Sequence, residues 1–416
     1  MSSSSPPPCF AGIDWGSQSH HVCVLGADGT VLGEKAFPHS GEGLGQLLDW
    51  ILGCAACEAK QVAVAIEIPH GPIVDGLLDR GFQVLSINPK QLDRFRDRFS
   101  PAGAKDDRRD ARVLADAVRT DPNCLRVLSP LDSEIVELRE WSRIADALTT
   151  QRTELTNRLR EQLWRYYPQF LTLGADLSAE WVLALWKLAP SPEAARRVRP
   201  SSVAKLLKKH RIRRFNADEV VKMLRAKPLT VAPGVVSAAT SHIRILAQSL
   251  ALLGDQLSTA KCAMAAILED LSADEEPTSE EPRRLRDATI LASLPGVGEV
   301  VLATLLAEAS GPLHCRNYQA LRCLSGVAPV TRRSGKTQRV VRRRACKPRL
   351  VNAIYHWSRV AVQHDPVSRA KYRALRARGH SHGRALRSVG DRLLAVACAM
   401  LRDGTLYEPR CVTATK

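Results

Sequence analysis

The sequence predicts an α/β domain, then a pair of long helices, then a mostly α-helical C-terminal domain. Short apolar strands alternate with helical patterns over the first 130 residues, heptad-like patterns occupy the middle, and helical periodicity dominates the last third. At 416 residues the chain is long enough for two or three domains with separate cores. The expected regions are a disordered N-terminus at 1–9, the α/β domain at 10–130, a coiled-coil region at 131–273, a linker at 274–284, a C-terminal domain at 285–405 and a tail at 406–416.

The first expected element is a short apolar strand, Phe10–Ile13, which ends in Asp14. Two further strands are expected at His20–Leu25 and Val31–Phe37, with an Asp-Gly hairpin signal between them. Three consecutive antiparallel strands with a carboxylate in the first one indicate an RNase-H-like sheet. Nucleases, recombinases and sugar-kinase-like ATPases share that fold, so Asp14 alone does not decide the function.

Helices and strands continue to alternate after these strands. The expected elements are a helix at Gly41–Leu52, a buried strand at Val62–Ile66 that ends in Glu67, a helix at Gly71–Arg80, a strand at Val84–Ile87, a basic helix at Lys90–Arg98, and a helix that opens at Lys105–Ala111 and runs to Arg119.

The last of these helices carries two aspartates near its start. Asp107 and Asp110 lie three residues apart, so both project from one helical face. Asp106 and Asp110 are also neighbours on one face, and the three-residue spacing favours Asp107 over Asp106.

Two long helices are expected in the middle of the chain. The first begins near Ser133 and closes at Tyr166. The second has apolar residues from Ile243 to Ile267 at alternating steps of three and four, which is typical of a coiled coil. The helices can pair within one chain or between chains, and we favour a dimerising stalk. Between them, Lys205–Phe215 is a basic amphipathic segment that either contacts nucleic acid or forms a solvated helix face.

The formal net charge of +17 lies entirely at the C-terminal end. Residues 332–416 contain 21 Lys and Arg against 4 Asp and Glu, so the rest of the chain is neutral overall. A segregated basic segment is better explained by a polyanionic partner than by solubility. The 11 cysteines lack the spacing of a zinc site and are expected to be reduced, and neither a secretion signal nor a membrane span is expected.

Two motifs in the last third can meet phosphate. The segment LPGVG, Leu294–Gly298, lies between two apolar helical patterns, as in a helix-hairpin-helix whose turn amides contact a phosphate backbone. A plain turn between two helices is the alternative. The window Arg332–Arg349 then holds nine Lys and Arg and no acid, and Ser334 lies inside it. The Ser334 hydroxyl can attack a phosphodiester to form a phosphoserine link, or simply contact a phosphate.

The four acids Asp14, Glu67, Asp107 and Asp110 can converge if their elements pack as in an RNase-H-like sheet. Carboxylates this close repel one another unless a cation neutralises them. Mg²⁺ is a hard cation that prefers oxygen ligands, and two such ions can clamp a phosphodiester between its attacking and leaving oxygens. Each acid alone can also be a turn cap, a surface charge or a favourable charge at a helix N-terminus.

Several separated motifs in one order resemble the DEDD-type transposases of bacterial insertion sequences. The motifs are GIDWGSQSHH, AIEIP, KDDRRDA, LPGVG and APVTRRSGK, with a coiled coil between the third and fourth, and the likeness covers residues 10–405. It implies a RuvC-like N-terminal domain and a C-terminal transposase domain with an essential serine. The positions that match the family's four acids are Asp14, Glu67, Asp107 and Asp110, and Ser334 matches its serine.

The resemblance implies an enzyme that cuts and rejoins DNA with Mg²⁺-binding acids and a serine nucleophile. It also implies a structured noncoding guide RNA, a homodimer that assembles into a dimer of dimers, no membrane partner, and a location at the nucleoid in the bacterial cytoplasm. The side chains expected to contact nucleic acid are Lys105, Arg332, Arg333, Lys336, Arg339, Arg342, Arg343 and Arg344.

Two other function classes stay open. GIDWGS also resembles the first phosphate loop of actin- or sugar-kinase-like phosphotransferases, although neither a second phosphate loop nor an adenosine-site glycine motif is evident. A non-catalytic nucleic-acid-binding protein with a decayed nuclease domain would not need all four acids. Turnover of ATP with a small substrate would favour the first class, and DNA strand transfer separates an active recombinase from the second.

Overall fold

The computed structural model describes residues 8–99, 106–130, 132–273 and 286–408. The chain divides into two units between Asp132 and Ser133. Lys105, the expected linker apart from its first residues' helix boundary at Ala273, and the tail beyond Glu408 lie outside the described residues. Cys9, expected in a disordered N-terminus, already belongs to the first strand.

A six-stranded mixed sheet forms the centre of the N-terminal unit. Its strands are β1 (Cys9–Trp15), β2 (Ser19–Gly26), β3 (Val31–Pro38), β4 (Val62–Ile66), β5 (Gln83–Ser86) and β6 (Arg126–Val127), in the spatial order β3-β2-β1-β4-β5-β6. The first three strands are antiparallel, β1, β4 and β5 are parallel, and β6 is antiparallel to β5. The predicted α/β class is confirmed, and the short strand β6 was not predicted.

The sheet is covered on both faces by helices. They are α1 (Gly41–Ala55), α2 (Pro72–Asp79), α3 (Pro89–Asp97) and α4 (Asp107–Thr120). Because successive strand residues point to opposite faces, Ala11 and Ile13 pack with α1 and α2, whereas Phe10 packs with α3 and α4.

Helix α4 crosses β1 at Gly12, where the two backbones touch. A Cβ atom at Gly12 would lie 2.0 Å from the carbonyl oxygen of Ala111 and 2.4 Å from the amide nitrogen of Ala115. Only glycine permits this approach. The first turn of α4, which carries Asp110, is thereby held against the strand that carries Asp14.

Two long helices, α5 (Ser133–Tyr166) and α11 (Pro233–Ser272), pack against each other in the C-terminal unit. The predicted apolar seam of α11 is buried within the single chain at Ile243, Leu246, Leu250, Leu253, Leu257, Ala260, Met264 and Ile267. The seam therefore has a partner inside the chain, and dimerisation stays a prediction.

The residues Gly234–Ser272 of α11 are long and apolar enough to cross a membrane by length and composition alone. Core helices pass the same test. Here one apolar stripe of the helix packs against α5, and the helix also carries Arg244, Asp255 and Lys261. Packing within the unit thus accounts for its apolar character.

A group of short helices lies between the two long ones and was not predicted. They are α6 (Pro168–Leu171), α7 (Glu180–Leu188), α8 (Pro192–Arg197), α9 (Pro200–Lys209) and α10 (Ala217–Leu224). They share a core with Tyr166, Tyr167 and Trp186. The expected amphipathic segment Lys205–Phe215 is split, because α9 ends at Lys209 and Arg211 has a left-handed backbone with φ of +55°.

The rest of the unit is mostly helical, as predicted, with one added β-hairpin. Its elements are α12 (Asp287–Ala292), α13 (Glu299–His314), α14 (Tyr318–Leu324), β7 (Val330–Ser334), β8 (Thr337–Val341), α15 (Pro348–His364), α16 (Pro366–Ala377) and α17 (His382–Asp403).

The LPGVG segment forms the connection between α12 and α13 and packs against α15. The indole nitrogen of Trp357 donates to the carbonyl oxygen of Pro295 at 2.9 Å. Gly296 has a φ of +83°, and a Cβ there would lie 2.7 Å from the amide nitrogen of Ala361. These contacts give the two glycine-rich turns of the motif a packing role, and its contact with phosphate stays a prediction.

A buried carboxylate fixes the chain that leaves the hairpin. Glu308 of α13 is 7% exposed and accepts from Lys347 Nζ at 3.0 Å and from Arg349 Nη1 at 2.8 Å. Arg143 of α5 lies 3.5 Å away from the same carboxylate. The start of α15 is thereby tied to α13 and α5.

We expect Gly12→Ala to destabilise the protein by about 2 kcal/mol or more, because the methyl group must push α4 away from β1. The free energy of unfolding in urea measures this loss. Gly53→Ala is the matched control, since Gly53 lies in α1 with nothing within 4 Å of its Cβ position, and it should be neutral or slightly stabilising. Equal effects of the two substitutions would show that the contact at Gly12 is not tight.

Stability should depend on pH through Glu308. Burial alone would raise the pKa of this carboxyl, but the charges of Lys347, Arg143 and Arg349 outweigh it and lower the pKa from its ordinary 4.5. A lowered pKa contributes stability above pH 4.5 that is lost as the pH falls through the folded-state value. Glu308→Gln should therefore cost about 2 kcal/mol at pH 7 and less at acid pH.

Urea unfolding at pH 7 and at progressively lower pH measures that difference. Glu140→Gln is the control, since Glu140 pairs with the same Arg143 at 3.2 Å but its side chain is 53% exposed. A loss for Glu308→Gln that does not change with pH would refute the electrostatic explanation.

Candidate functional site

Three carboxylates are positioned at one end of the N-terminal sheet by neighbouring elements. Parallel pairing sets Ile13 of β1 opposite Ile66 of β4, so Asp14 and Glu67 are the next residues along the two strands. Asp110 lies in the first turn of α4, which crosses β1 at Gly12, and its side chain is 1% exposed. We call Asp14, Glu67 and Asp110 the acidic corner.

The neighbouring aspartates differ in their surroundings. Asp106 is the N-cap residue of α4, and its carboxylate accepts from the amide of Arg108 at 3.4 Å. Asp107 is the first residue of the helix, and its side chain is exposed. Asp106 thus has a capping role of its own, while the part that Asp107 takes in the site stays a prediction.

Arg96 of α3 binds the most buried acid of the corner. Its Nε donates to Oδ1 of Asp110 at 2.5 Å and its Nη2 donates to Oδ2 at 2.8 Å. The hydrogen bonds with Asp110 raise the pKa of Arg96, burial opposes this, and the charges of Asp110, Asp93 and Glu67 add to the rise. The sequence predicted a basic helix here but assigned no role to Arg96.

The donor chemistry of the acidic corner suits a hard divalent cation, because its ligands are carboxylate oxygens. The arrangement does not. Within the ranges that the structure describes, no group of three or more His, Cys, Asp or Glu side chains is placed to hold a metal ion. Both oxygens of Asp110 instead receive hydrogen bonds from Arg96.

A histidine pair flanks the end of β1 and was also missed by sequence reasoning. His20 is fully buried, stacks on Trp15 with ring centroids 4.1 Å apart, and its Nε2 lies 3.0 Å from Nδ1 of His39. Burial lowers the pKa of His20, and the charge of His39 lowers it further. A neutral, stacked pair thus supports the strand end beside Asp14.

Ser334 lies at the turn of the exposed hairpin in the C-terminal unit. It is the last residue of β7 and pairs with Thr337, the first residue of β8. Gly335 follows with a left-handed φ of +53°, which glycine adopts without strain. The turn therefore presents the Ser334 side chain and Lys336 to solvent.

The register of the hairpin selects which arginines share a face with Ser334. Alternation along the strands places Arg332 on that face, directly opposite Arg339, whereas Arg333 pairs with Gln338 on the other face. Like charges directly opposite each other destabilise a strand pair. Since residues 330–341 contain no acid, an anionic ligand would relieve this repulsion.

The chain beyond β8 continues the uncompensated positive charge. Burial lowers the pKa of Arg387, and the charges of Arg342 and Arg384 lower it further. The buried Nε of Arg343 has no hydrogen-bond partner among the described residues. Arg344 is exposed.

The four acids belong to the N-terminal unit and Ser334 belongs to the C-terminal unit. Their meeting at one scissile phosphate remains a prediction from the sequence. So do the catalytic and nucleic-acid-binding roles of the individual residues.

Known proteins resemble both units. A family model for the DEDD type of IS110 transposase matches residues 11–168, and a model described as the transposase IS116/IS110/IS902 family matches residues 288–373. "Mini-circle putative transposase for IS117" of Streptomyces coelicolor is 31% identical over 394 residues, which cover 92% of each chain.

Two further relatives differ in coverage. "Insertion element IS900 uncharacterized 42 kDa protein" of Mycobacterium paratuberculosis is 28% identical and covers 98% of this chain. "Putative transposase y4uE" of Sinorhizobium fredii is 57% identical over 217 residues, which span 60% of that relative. One matched family segment contains the acidic corner and the other contains Ser334. The chain therefore belongs to the IS116/IS110/IS902 family of transposases.

Proposed function

We propose that this transposase cuts and rejoins DNA strands with Ser334 as its nucleophile. The observation that carries the proposal is the exposed hairpin turn, where Ser334 shares a face with the opposed Arg332 and Arg339. Two uncompensated guanidinium groups beside a hydroxyl suit a phosphodiester, whose oxygens they can bind in bidentate fashion. Membership of a transposase family makes DNA the expected polyanion.

The covalent step is a transesterification. The Oγ atom of Ser334 forms a bond to phosphorus, its proton leaves to a base, and the bond from phosphorus to one deoxyribose oxygen breaks and that oxygen is protonated. The phosphoserine retains the energy of the phosphodiester bond. A sugar hydroxyl of another strand then displaces Ser334, so strands are rejoined without ATP.

We further propose that Asp14, Glu67, Asp107 and Asp110 hold Mg²⁺. The order β3-β2-β1-β4-β5, with three antiparallel strands followed by parallel pairs, supports an RNase-H-like and RuvC-like interpretation of the unit. When bound, the ion would stabilise the developing charge on the phosphate oxygens. The acids of this chain would supply only oxygen ligands to it.

A structured noncoding RNA is the proposed guide, and a homodimer or dimer of dimers is the proposed assembly. A protein that leaves base recognition to RNA reads shape and backbone, which agrees with 60 Lys and Arg and only 5% aromatic residues. Lys105, Arg342, Arg343 and Arg344 are further proposed contacts to nucleic acid. The proposed location is the bacterial cytoplasm, at the nucleoid.

We expect Ser334→Ala to reduce DNA strand exchange by about 10³-fold or more while DNA and RNA binding change little. The hydroxyl is lost, but Arg332 and Arg339 remain. A recombination assay with element-end and target DNA, and a gel-shift assay on the same preparation, measure the two effects.

Thr337→Ala is the matched control, because Thr337 is the register partner of Ser334 and carries the other hydroxyl at the turn. It should retain strand exchange. Recombination by the Ser334→Ala variant would rule out Ser334 as the nucleophile. ATP turnover with a small substrate would instead favour the phosphotransferase alternative.

A further inference from the structure

We propose that Arg96 is a positioning residue that serves as the internal counter-ion of the acidic corner, occupying Asp110 until a divalent cation displaces it. The inference rests on the proposed metal site and concerns how this chain fills the site before the cation binds. It treats the fork of hydrogen bonds between Arg96 and Asp110 as one of two alternative states.

The geometry shows why Arg96 and a cation compete. Arg96 contacts both oxygens of Asp110, at 2.5 and 2.8 Å, in the planar bidentate arrangement that guanidinium and carboxylate groups prefer. A cation that binds between Asp110 and the strand ends needs the same carboxylate. Direct coordination through these oxygens therefore requires Arg96 to withdraw.

The electrostatics show why a counter-ion is needed. The side chain of Asp110 is 1% exposed, and a buried carboxylate without a partner is costly. Glu67 also acts on the charge of Arg96, so a single guanidinium offsets two members of the acidic corner. Arg96 thus allows the unit to fold with its acids close together and no cation bound.

The structure also provides a second partner for the displaced side chain. Arg96 forms an ion pair with Asp93, one turn earlier on α3, and the Asp93 side chain is 67% exposed. The Arg96 side chain itself is 19% exposed. Rotation towards Asp93 would keep its charge paired near solvent while it releases Asp110.

Manganese binding tests the proposal directly. Mn²⁺ is titrated into the full chain, and free Mn²⁺ is measured by electron paramagnetic resonance together with the Tm at each concentration. Arg96→Gln removes the competing charge, so the half-saturating Mn²⁺ concentration should fall about fivefold or more. The Tm without metal should also fall, and the rise in Tm on adding Mn²⁺ should exceed that of the wild type.

Arg98→Gln is the matched control. Arg98 also joins α3 to α4, through Asp121 and Thr120 at 3.2 Å, but it contacts no member of the acidic corner in those bonds. Its half-saturating Mn²⁺ concentration should equal that of the wild type. If Arg96→Gln does not fold, Arg96→Lys keeps the charge without the planar fork and should bind Mn²⁺ more tightly than the wild type.

The outcomes separate this inference from the proposed function. If the wild type binds Mn²⁺, Asp14→Asn abolishes binding, and the Arg96 variants bind no more tightly, then the counter-ion proposal is overturned and the metal site stands. Weaker binding by the Arg96 variants would mean that Arg96 orients Asp110 for the cation, which also overturns the proposal. If neither the wild type nor any Arg96 variant binds Mn²⁺, both the metal site and the inference fail.

Discussion

The contact between α4 and β1 at Gly12 determines how the acids of the N-terminal unit are brought together. A strand residue without a side chain lets the helix backbone lie directly on the strand. Asp110 precedes that contact by one residue, and parallel pairing of β1 with β4 brings Asp14 and Glu67 to the same end of the sheet. A steric constraint thus creates an electrostatic one, because carboxylates held together away from water must be compensated.

The two units meet this requirement in opposite ways. In the N-terminal unit the buried Asp110 is paired with Arg96. In the C-terminal unit the one strongly paired acid, Glu308, fixes the start of α15, whereas the hairpin tip keeps Arg332 and Arg339 opposed and without an acid in its strands. A fixed base and an uncompensated tip are consistent with a segment that completes its charge balance on a polyanion.

The sequence predicted the elements whose burial leaves a periodic signal. Strand Val62–Ile66 has the predicted bounds, because five consecutive apolar residues are buried on both faces. The long helix Ser133–Tyr166 and the buried seam of α11 were predicted for the same kind of reason. The placement of Asp14 and Glu67 after strands also followed from sequence, since both come directly after apolar runs.

Features without such a signal were missed. The hairpin Val330–Val341 is exposed on both faces, so it shows no alternation of apolar and polar residues. Arg96 meets Asp110 across two helices, and no spacing rule links residues that are neighbours only through tertiary packing. The site's parts could be predicted from local patterns, whereas the way its charges are balanced required the fold.

The central claim is that Ser334 becomes covalently linked to DNA. The most direct measurement is mass spectrometry of the wild-type protein after reaction with element-end DNA, denaturation, and digestion with protease and nuclease. The account predicts a nucleotide joined through phosphate to the peptide that contains Ser334. Recombined DNA with no protein-linked intermediate, or a nucleotide joined to a different residue, would contradict it.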